Sequence, residues 1–235
     1  MRLLGALLDS SLKGLGVREK TSAEKLGKQI CELVRDLDQL DFKYKVGIAK
    51  ELGAMEVQAK AAVPALIKLA LNDNGYPHFQ EEVTKAIQAA VEALGKIGQP
   101  AIDELVKIVS NDPQPDRRVR AIYLLGTLGG EREVTFLQNV LNSSLEPLEP
   151  VGRVAVLEAL KSVAIRAKHS IPAVNEEIIN ALTTDKDPGV RLTAVNVLIY
   201  LPGTWTAAIP ILQRLKGDPA LKETVSFVLE SIDHS

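Results

Sequence analysis

Aromatic residues are scarce in this chain: four Phe, four Tyr and the single Trp205 make up 4% of its 235 residues. A β-sandwich favours aromatic and β-branched side chains, so the scarcity argues against one. Cysteine is present once, as Cys31; no intrachain disulfide can form, and a reducing, cytoplasmic setting is the expectation. The three histidines, His78, His169 and His234, stand far apart, and no H-E-x-x-H occurs. With Cys31 they do not supply the three or four converging ligands of a zinc centre, so neither a metal nor a cofactor is expected. No apolar run approaches the roughly 18 residues needed to cross a bilayer. The opening MRLLGALLDSSLK lacks the long apolar stretch and A-x-A cleavage site of a signal peptide.

An excess of charge is missing too. Lys and Arg total 28 against 30 Asp and Glu, which removes the crude electrostatic signature of a nucleic-acid binder. The densest basic cluster, Arg117, Arg118 and Arg120, has Asp112 and Asp116 beside it. There is no G-x-G-x-x-G or P-loop, and LGTLGGERE has neither the lysine nor a preceding strand. A nucleophilic Cys31 would need a nearby base and an exposed thiolate. Its neighbour Ile30 falls on an apolar helix face, so a quiet structural thiol is expected. No catalytic residue emerges.

What the chain does have is Ala, Leu, Val, Glu and Lys, a composition suited to helices packed at close range, and a repeat. YKVGIAKELG (44–53), AIQAAVEALG (86–95), RRVRAIYLLG (117–126), GRVAVLEALK (152–161) and VRLTAVNVLI (190–199) align on Leu52, Leu94, Leu125, Leu160 and Leu198, spaced 31 to 42 residues apart. Four residues earlier lie Ile48, Ala90, Ala121, Val156 and Ala194, one turn back on the same stripe. Seven before the leucine come Lys45, Ile87, Arg118, Arg153 and Arg191, and four before those Asp41, Val83, Gln114, Glu149 and Asp187. Three units thus place an acid and a base at i,i+4, a spacing that predicts pairing along the helix. Gly53, Gly95 and Gly126 follow the leucine and are expected to close the first helix with a left-handed residue.

Second helices read AAVPALIKLAL (61–71), PAIDELVKIVS (100–110), EVTFLQNVLN (133–142), SIPAVNEEIINAL (170–182) and AIPILQRLKG (208–217). Pro64, Pro172 and Pro210 are expected just inside their starts, where a missing N–H costs nothing. The whole predicts an all-α fold, an α-solenoid of about five helical hairpins. The expected organisation is an amphipathic segment and capping helix over 1–40, the repeat array over 41–217, and a capping helix over 218–235. Thr21 and Glu24 form a candidate capping box, and Leu26, Ile30, Val34 and Leu37 share one face. At the other end, Leu221, Val225, Leu229 and Ile232 are expected inward, with Lys222, Glu223, Ser226 and Glu230 outward.

The stretches DPGVRLTAVNVL with AAIPIL, and LGKIGQPAIDELVKIV (94–109), resemble the HEAT-repeat family, especially the short bacterial kind also seen in phycobilin lyases. The second unit departs from the pattern with Val83 and Ile87, and the second and third units carry Asp103 and Thr135 in place of the helix-start proline. The resemblance speaks for fold; its motif consists of packing and punctuation positions. HEAT-type di-iron hydroxylases use repeated His-Glu pairs, which this chain lacks.

Binding through shape is the function such a stack implies. Counted from the proline-equivalent positions, the expected inner ridge pairs Ile67 with Lys68, Val106 with Lys107, Gln138 with Asn139, Asn175 with Glu176, and Gln213 with Arg214. Its mixed charge suits a folded protein or peptide better than a polyanion. Loop NDNGYPHFQ adds Tyr76, His78 and Phe79 as candidate anchors, with Phe79 equally readable as the first buried residue of the next helix; NSSLEPLEP adds Leu145 and Leu148. Trp205 occupies a position held by Ala59 and Ala167 in other units and reads as a gap filler near the C-terminal cap or as a partner anchor. The expected function is a protein-binding adaptor. The alternatives are a phycobilin lyase-like or phycobiliprotein-handling subunit, where a bilin would be the ligand, and, more remotely, a nucleic-acid binder. Membrane contact is left only to residues 1–13.

Overall fold

A computed structural model describes residues 22–73, 75, 80–143, 148–167, 171–201 and 205–233. Among these there are helices and no strand. In order they are α1 (22–39), α2 (Phe42–Ala54), α3 (Val63–Ala70), α4 (Glu81–Ile97), α5 (Gln99–Asn111), α6 (Pro115–Leu128), α7 (Val134–Leu141), α8 (Pro150–Ala167), α9 (Pro172–Thr184), α10 (Pro188–Leu198), α11 (Trp205–Leu215) and α12 (Lys222–Asp233). Short 3-10 helices at Glu56–Ala62 and Glu131–Glu133 lead into α3 and α7. The chain divides into two compact units, Met1–Ala101 and Ile102–Ser235, the division falling within α5. Residues 1–13, Thr21 of the candidate capping box and the loop residues Tyr76, His78, Phe79 and Leu145 lie outside the described residues.

The five aligned leucines are the centre of the packing: Leu52, Leu94, Leu125, Leu160 and Leu198 are each 0% exposed. One turn earlier Ala90, Ala121, Val156 and Ala194 are buried as well. In the first unit α2 and α3 both pack on α4. The register of α4 shows why it forms a helix. Val83, Ala86, Ala90, Ala93, Leu94 and Ile97 make one buried stripe, with Glu81 and Glu82 in the first turn and Lys96 in the last, each sign opposing the helix dipole. On α1, Ile30 and Leu37 are buried and Leu26 and Val34 half-buried, the face expected of a capping helix. Cys31 stands one residue off that face and is exposed.

In the second unit α6, α8, α10 and α12 pack in succession, while α7 touches α8 and α9, and α9 touches α8 and α10. Pro115, Pro150, Pro172 and Pro188 each occupy the first residue of a helix, where φ is already helical and no N–H is needed. Pro64 is the second residue of α3. Pro210 departs from expectation: α11 starts one turn earlier, at Trp205, and the proline lies inside it. The closing helix α12 packs on α10 and α11 and buries Val225, Val228 and Leu229, with Leu221 buried just before its start and Ile232 half-buried.

Gly53, Gly95 and Gly126 do not end their helices. Each lies within the helical span, and the left-handed closing residue of α4 is Gly98 (φ 77°), whose N–H donates to Leu94 O at 3.0 Å. Gly53 and Gly126 are contact residues instead. A Cβ on Gly53 would stand 2.9 Å from Ala93 Cα, and one on Gly126 2.5 Å from Ala159 Cα. The missing side chain lets α4 approach α2, and α8 approach α6, backbone to backbone.

This geometry predicts opposite signs for two glycine-to-alanine changes. Gly126→Ala drives a methyl group into Ala159 and should destabilise the second unit by about 1–3 kcal/mol. Gly47→Ala, on α2 with nothing within 4 Å of its Cβ, should stabilise by roughly 0.5–1 kcal/mol through helix propensity. Urea unfolding midpoints should move in opposite directions; a neutral or stabilising Gly126→Ala would refute the close approach.

Candidate interaction surface

In the first unit, Lys68 is exposed on α3, as the ridge requires, but its ammonium donates to Asp38 of α1 at 2.7 Å. That bond, then the ammonium's charge, lowers the Asp38 pKa. Ile67, its expected ridge companion, is fully buried, so the ridge register turns into the core there. Beside this pair, Lys45 is buried with its ammonium 5.1 Å from the Phe42 ring, and burial pushes its pKa down. Leu37, Asp38, Lys45, Ala65, Lys68 and Leu69 line a cleft of about 20 Å³, the volume of a water molecule rather than a ligand.

In the second unit, Lys107 is exposed on α5 and paired with Glu104 at 2.9 Å. Gln213 and Arg214 are exposed on α11, and Asn139 and Glu176 on α7 and α9. The structure brings Gln138 together with a residue the sequence reading missed, Glu177. This carboxylate is 6% exposed. Its Oε2 accepts from Asn142 Nδ2 at 3.1 Å and Gln138 Nε2 at 3.4 Å, and its Oε1 from Asn180 Nδ2 at 3.5 Å. Gln138 also donates to Ala173 O at 3.2 Å. A buried carboxylate is retained only where donors replace its lost water; here amides on α7 and α9 do so and tie the two second helices together. The signal was available in the spacing, since Val174, Ile178 and Ala181 mark the buried face and 177 falls on it. Asn175 is half-buried beside it on α9.

At Asp187 and Arg191 the acid and base expected to pair at i,i+4 do something else. Asp187 precedes α10 as its N-cap, and its Oδ1 accepts from Gly189 N at 2.9 Å and Val190 N at 3.1 Å. A side chain folded back to cap its own helix does not point along it. The arginines reach forward to the next connector. Arg153 on α8 grips Asp185 with two parallel bonds, Nε to Oδ2 at 2.7 Å and Nη2 to Oδ1 at 2.9 Å, while its Nη1 donates to Leu148 O at 2.6 Å. Arg191 on α10 donates to Asp218 Oδ2 at 3.1 Å and to Asp185 O at 3.1 Å. Burial alone would raise the Asp185 pKa; the Arg153 hydrogen bond, the Asp187 backbone N–H and two guanidinium charges outweigh it and hold the carboxyl below its ordinary range.

Arg118 is the third residue after Pro115, as Arg153 is after Pro150 and Arg191 after Pro188. It lines a cleft of about 200 Å³ with Val109, Ser110, Asn139, Val140, Ser143 and Leu148. A second, more polar opening, about 530 Å³, shares Ser110 and Arg118 and is bounded by Asn111, Asp112 and Pro113. Asp112 accepts from Gln114 N at 2.9 Å and is ion-paired to Arg117.

Trp205 is half-buried at the first position of α11, and its indole Nε1 donates to Leu198 O at 3.0 Å. The ring therefore adds a second donor to a carbonyl at the end of α10 that already accepts from Leu201 N at 3.1 Å, which gives the side chain a structural tie. Among the described residues no three His, Cys, Asp or Glu stand close enough to hold a metal ion, and no helix is long and apolar enough to cross a membrane.

Asp185→Asn should remove about 1.5–3 kcal/mol of stability at pH 7, because the partly buried guanidinium loses its charged acceptor. The sign with pH follows from the lowered folded pKa. The Asp185 contribution is present above the unfolded value of roughly 3.9 and is lost as pH falls through the folded pKa. Wild type should therefore lose stability relative to the variant below about pH 4, read as converging urea midpoints; parallel curves would refute the linkage. Separately, Trp205→Phe should lower the unfolding midpoint by an amount corresponding to about 1 kcal/mol, a single hydrogen bond; an unchanged midpoint would show that the bond to Leu198 O is not a structural tie.

No curated protein matches the chain. Among solved structures, an engineered protein from the Northeast Structural Genomics Consortium is 18% identical over 88% of this chain and 97% of its own, with a TM-score of 0.44. Human deoxyhypusine hydroxylase in complex with glycerol is 20% identical over 88% of this chain and 85% of its own, with a TM-score of 0.39. Residues 88–111, from the middle of α4 to the end of α5, match the model of the PBS lyase HEAT-like repeat, so the chain carries a HEAT-like repeat within an all-α fold of the α-solenoid class.

Proposed function

We propose that the chain is a non-enzymatic adaptor that binds another protein or a peptide through the outward side chains of its second helices. The observation that carries this reading is the network centred on Glu177. It holds Gln138, Asn142 and Asn180 in fixed positions on α7 and α9, next to the exposed Asn139 and Glu176. Side chains ordered before binding lose little conformational entropy when a partner arrives. Donors and acceptors of both charge signs suit a protein surface, whereas a polyanion would call for one sign. The inter-repeat loops, with Tyr76, His78 and Phe79, belong to the same proposal as edge contacts, and a cytoplasmic setting is part of it.

A second reading draws on the match of residues 88–111 to a PBS lyase HEAT-like repeat: a subunit that handles a bilin or a bilin-bearing protein. A bilin is a large conjugated ligand, and such sites favour aromatic walls. None of the four clefts described above or lined by Val46, Lys50, Lys85, Gln88, Ala89 and Glu92 has an aromatic ring in its lining. This favours the adaptor.

Affinity capture from native lysate tests it, comparing wild type with a variant carrying Lys68→Glu, Lys107→Glu and Arg214→Glu. Wild type should retain a discrete protein, and the variant should lose about tenfold or more of it, as expected when several contact charges are reversed. Thermal unfolding of the variant checks that loss of the Asp38 tie leaves the fold intact. Retention no better than a bead control, or equal retention by both, refutes the adaptor. An absorbance shift on adding bilin to the purified protein would favour the second reading instead.

A further inference from the structure

Lys45 is the fourth residue of α2 and holds the position, seven before the aligned leucine, that Arg153 and Arg191 hold on α8 and α10. Those arginines each reach an aspartate. Lys45 is buried instead, with 7% of its surface exposed. Among the described residues its ammonium meets the Phe42 ring at 5.1 Å and no hydrogen-bond acceptor. A buried cation without an acceptor is costly, and in the N-terminal turn of a helix the dipole opposes it as well. The amine borders the cleft of about 20 Å³ that Leu37 and Asp38 of α1 share with Ala65, Lys68 and Leu69 of α3. Leu37, Ala65 and Leu69 give it apolar walls, while Asp38 and Lys68 are exposed.

We propose that Lys45 is a site of carbon dioxide uptake, where its Nζ forms a carbamate whose carboxylate is held by the Lys68 ammonium. The ammonium first gives one proton to water. The neutral nitrogen then attacks carbon dioxide: its lone pair forms the N–C bond, one C=O pair moves onto oxygen, and a second proton leaves the nitrogen for water. No leaving group has to be expelled, and a three-atom apolar molecule suits a cleft of this size and lining. Burial holds the Lys45 pKa below its ordinary value, and the Lys68 charge acts in the same sense against Asp38 and Asp41. A larger share of this amine is therefore neutral and nucleophilic than at an exposed lysine. The product exchanges a buried cation for an anion, which the N-terminal end of α2 favours. Lys68 now donates to Asp38 at 2.7 Å and has a further interaction in the fold; an ammonium with three N–H donors serves more than one acceptor. Asp38 is exposed, so water solvates its carboxylate when Lys68 turns to the carbamate. Uptake of carbon dioxide thus loosens the tie between α1 and α3.

The test equilibrates the full chain with carbon-13 carbon dioxide and bicarbonate, traps carbamates with triethyloxonium, which ethylates the carbamate oxygen, and digests the product with trypsin. Trypsin does not cut after a modified lysine, so Lys45 is read on the peptide spanning 44–50. The labelled share at Lys45 should exceed that at the exposed Lys50, Lys60 and Lys96 several-fold. In Lys68→Met, which removes the cation that holds the carbamate, the Lys45 adduct should fall several-fold; in Asp38→Asn, which releases Lys68, it should rise. An adduct at Lys45 no more abundant than at the exposed lysines overturns the site, and an adduct indifferent to both variants overturns the role of Lys68. Because the first comparison is made among the lysines of the wild-type chain, a variant that unfolds does not decide it. Lys45→Arg, which puts at this register the residue of α8 and α10, should remove one carbon-13 carbamate resonance while thermal unfolding shows the fold intact. An unchanged set of carbamate resonances in that folded variant would also overturn the site.

Discussion

A hairpin made from helices of eight to eighteen residues cannot cover its own leucine stripe. The aligned leucine of each first helix reaches zero exposure because a neighbouring first helix closes over it, and the succession of α6, α8, α10 and α12 is that requirement repeated. The residues around the leucine follow from how near the neighbour must come. Alanine or valine one turn earlier and glycine immediately after keep the stripe shallow, and at Gly53 and Gly126 the approach is so close that a methyl group would collide with the backbone of the facing helix.

Burying that stripe leaves polar groups that need partners, and these set the register between successive hairpins. Arg153 and Arg191 bridge from a first helix to the connector that leads into the following one. Glu177 does the same work between second helices by accepting from the amides of Gln138 and Asn142. Apolar contact alone would permit neighbouring hairpins to slide by a turn; directional bonds to a guanidinium or carboxylate do not. Within the last hairpin the indole of Trp205 on α11 adds a tie by donating to the Leu198 carbonyl at the end of α10.

The functional reading depends on what these ties leave outward. Lys68 and Lys107 are engaged by Asp38 and Glu104, yet both stay exposed, as do Asn139, Glu176, Gln213 and Arg214. In the second unit, the proposed binding role draws on Gln138, held by Glu177 beside the exposed Asn139.

Periodicity and punctuation were legible without coordinates. The five leucines, the apolar residue one turn before them and the inward faces of α1 and α12 depend on local spacing, and a 3.6-residue period written into a chain can be read directly from it. The glycines, the acids and the arginines were recognised as recurring but misassigned, since their partners lie on other elements. Glycine before a turn and glycine against a facing alanine look alike in one dimension, and an acid four residues before a base does not reveal that Asp187 caps its own helix while Arg191 reaches 27 residues onward. Helices and their buried stripes were therefore determined by the sequence itself. Which charges meet, where a buried Glu177 finds its donors and where a cleft opens beside Arg118 were decided only by tertiary packing, because those distances are set by side chains from helices that local spacing does not relate.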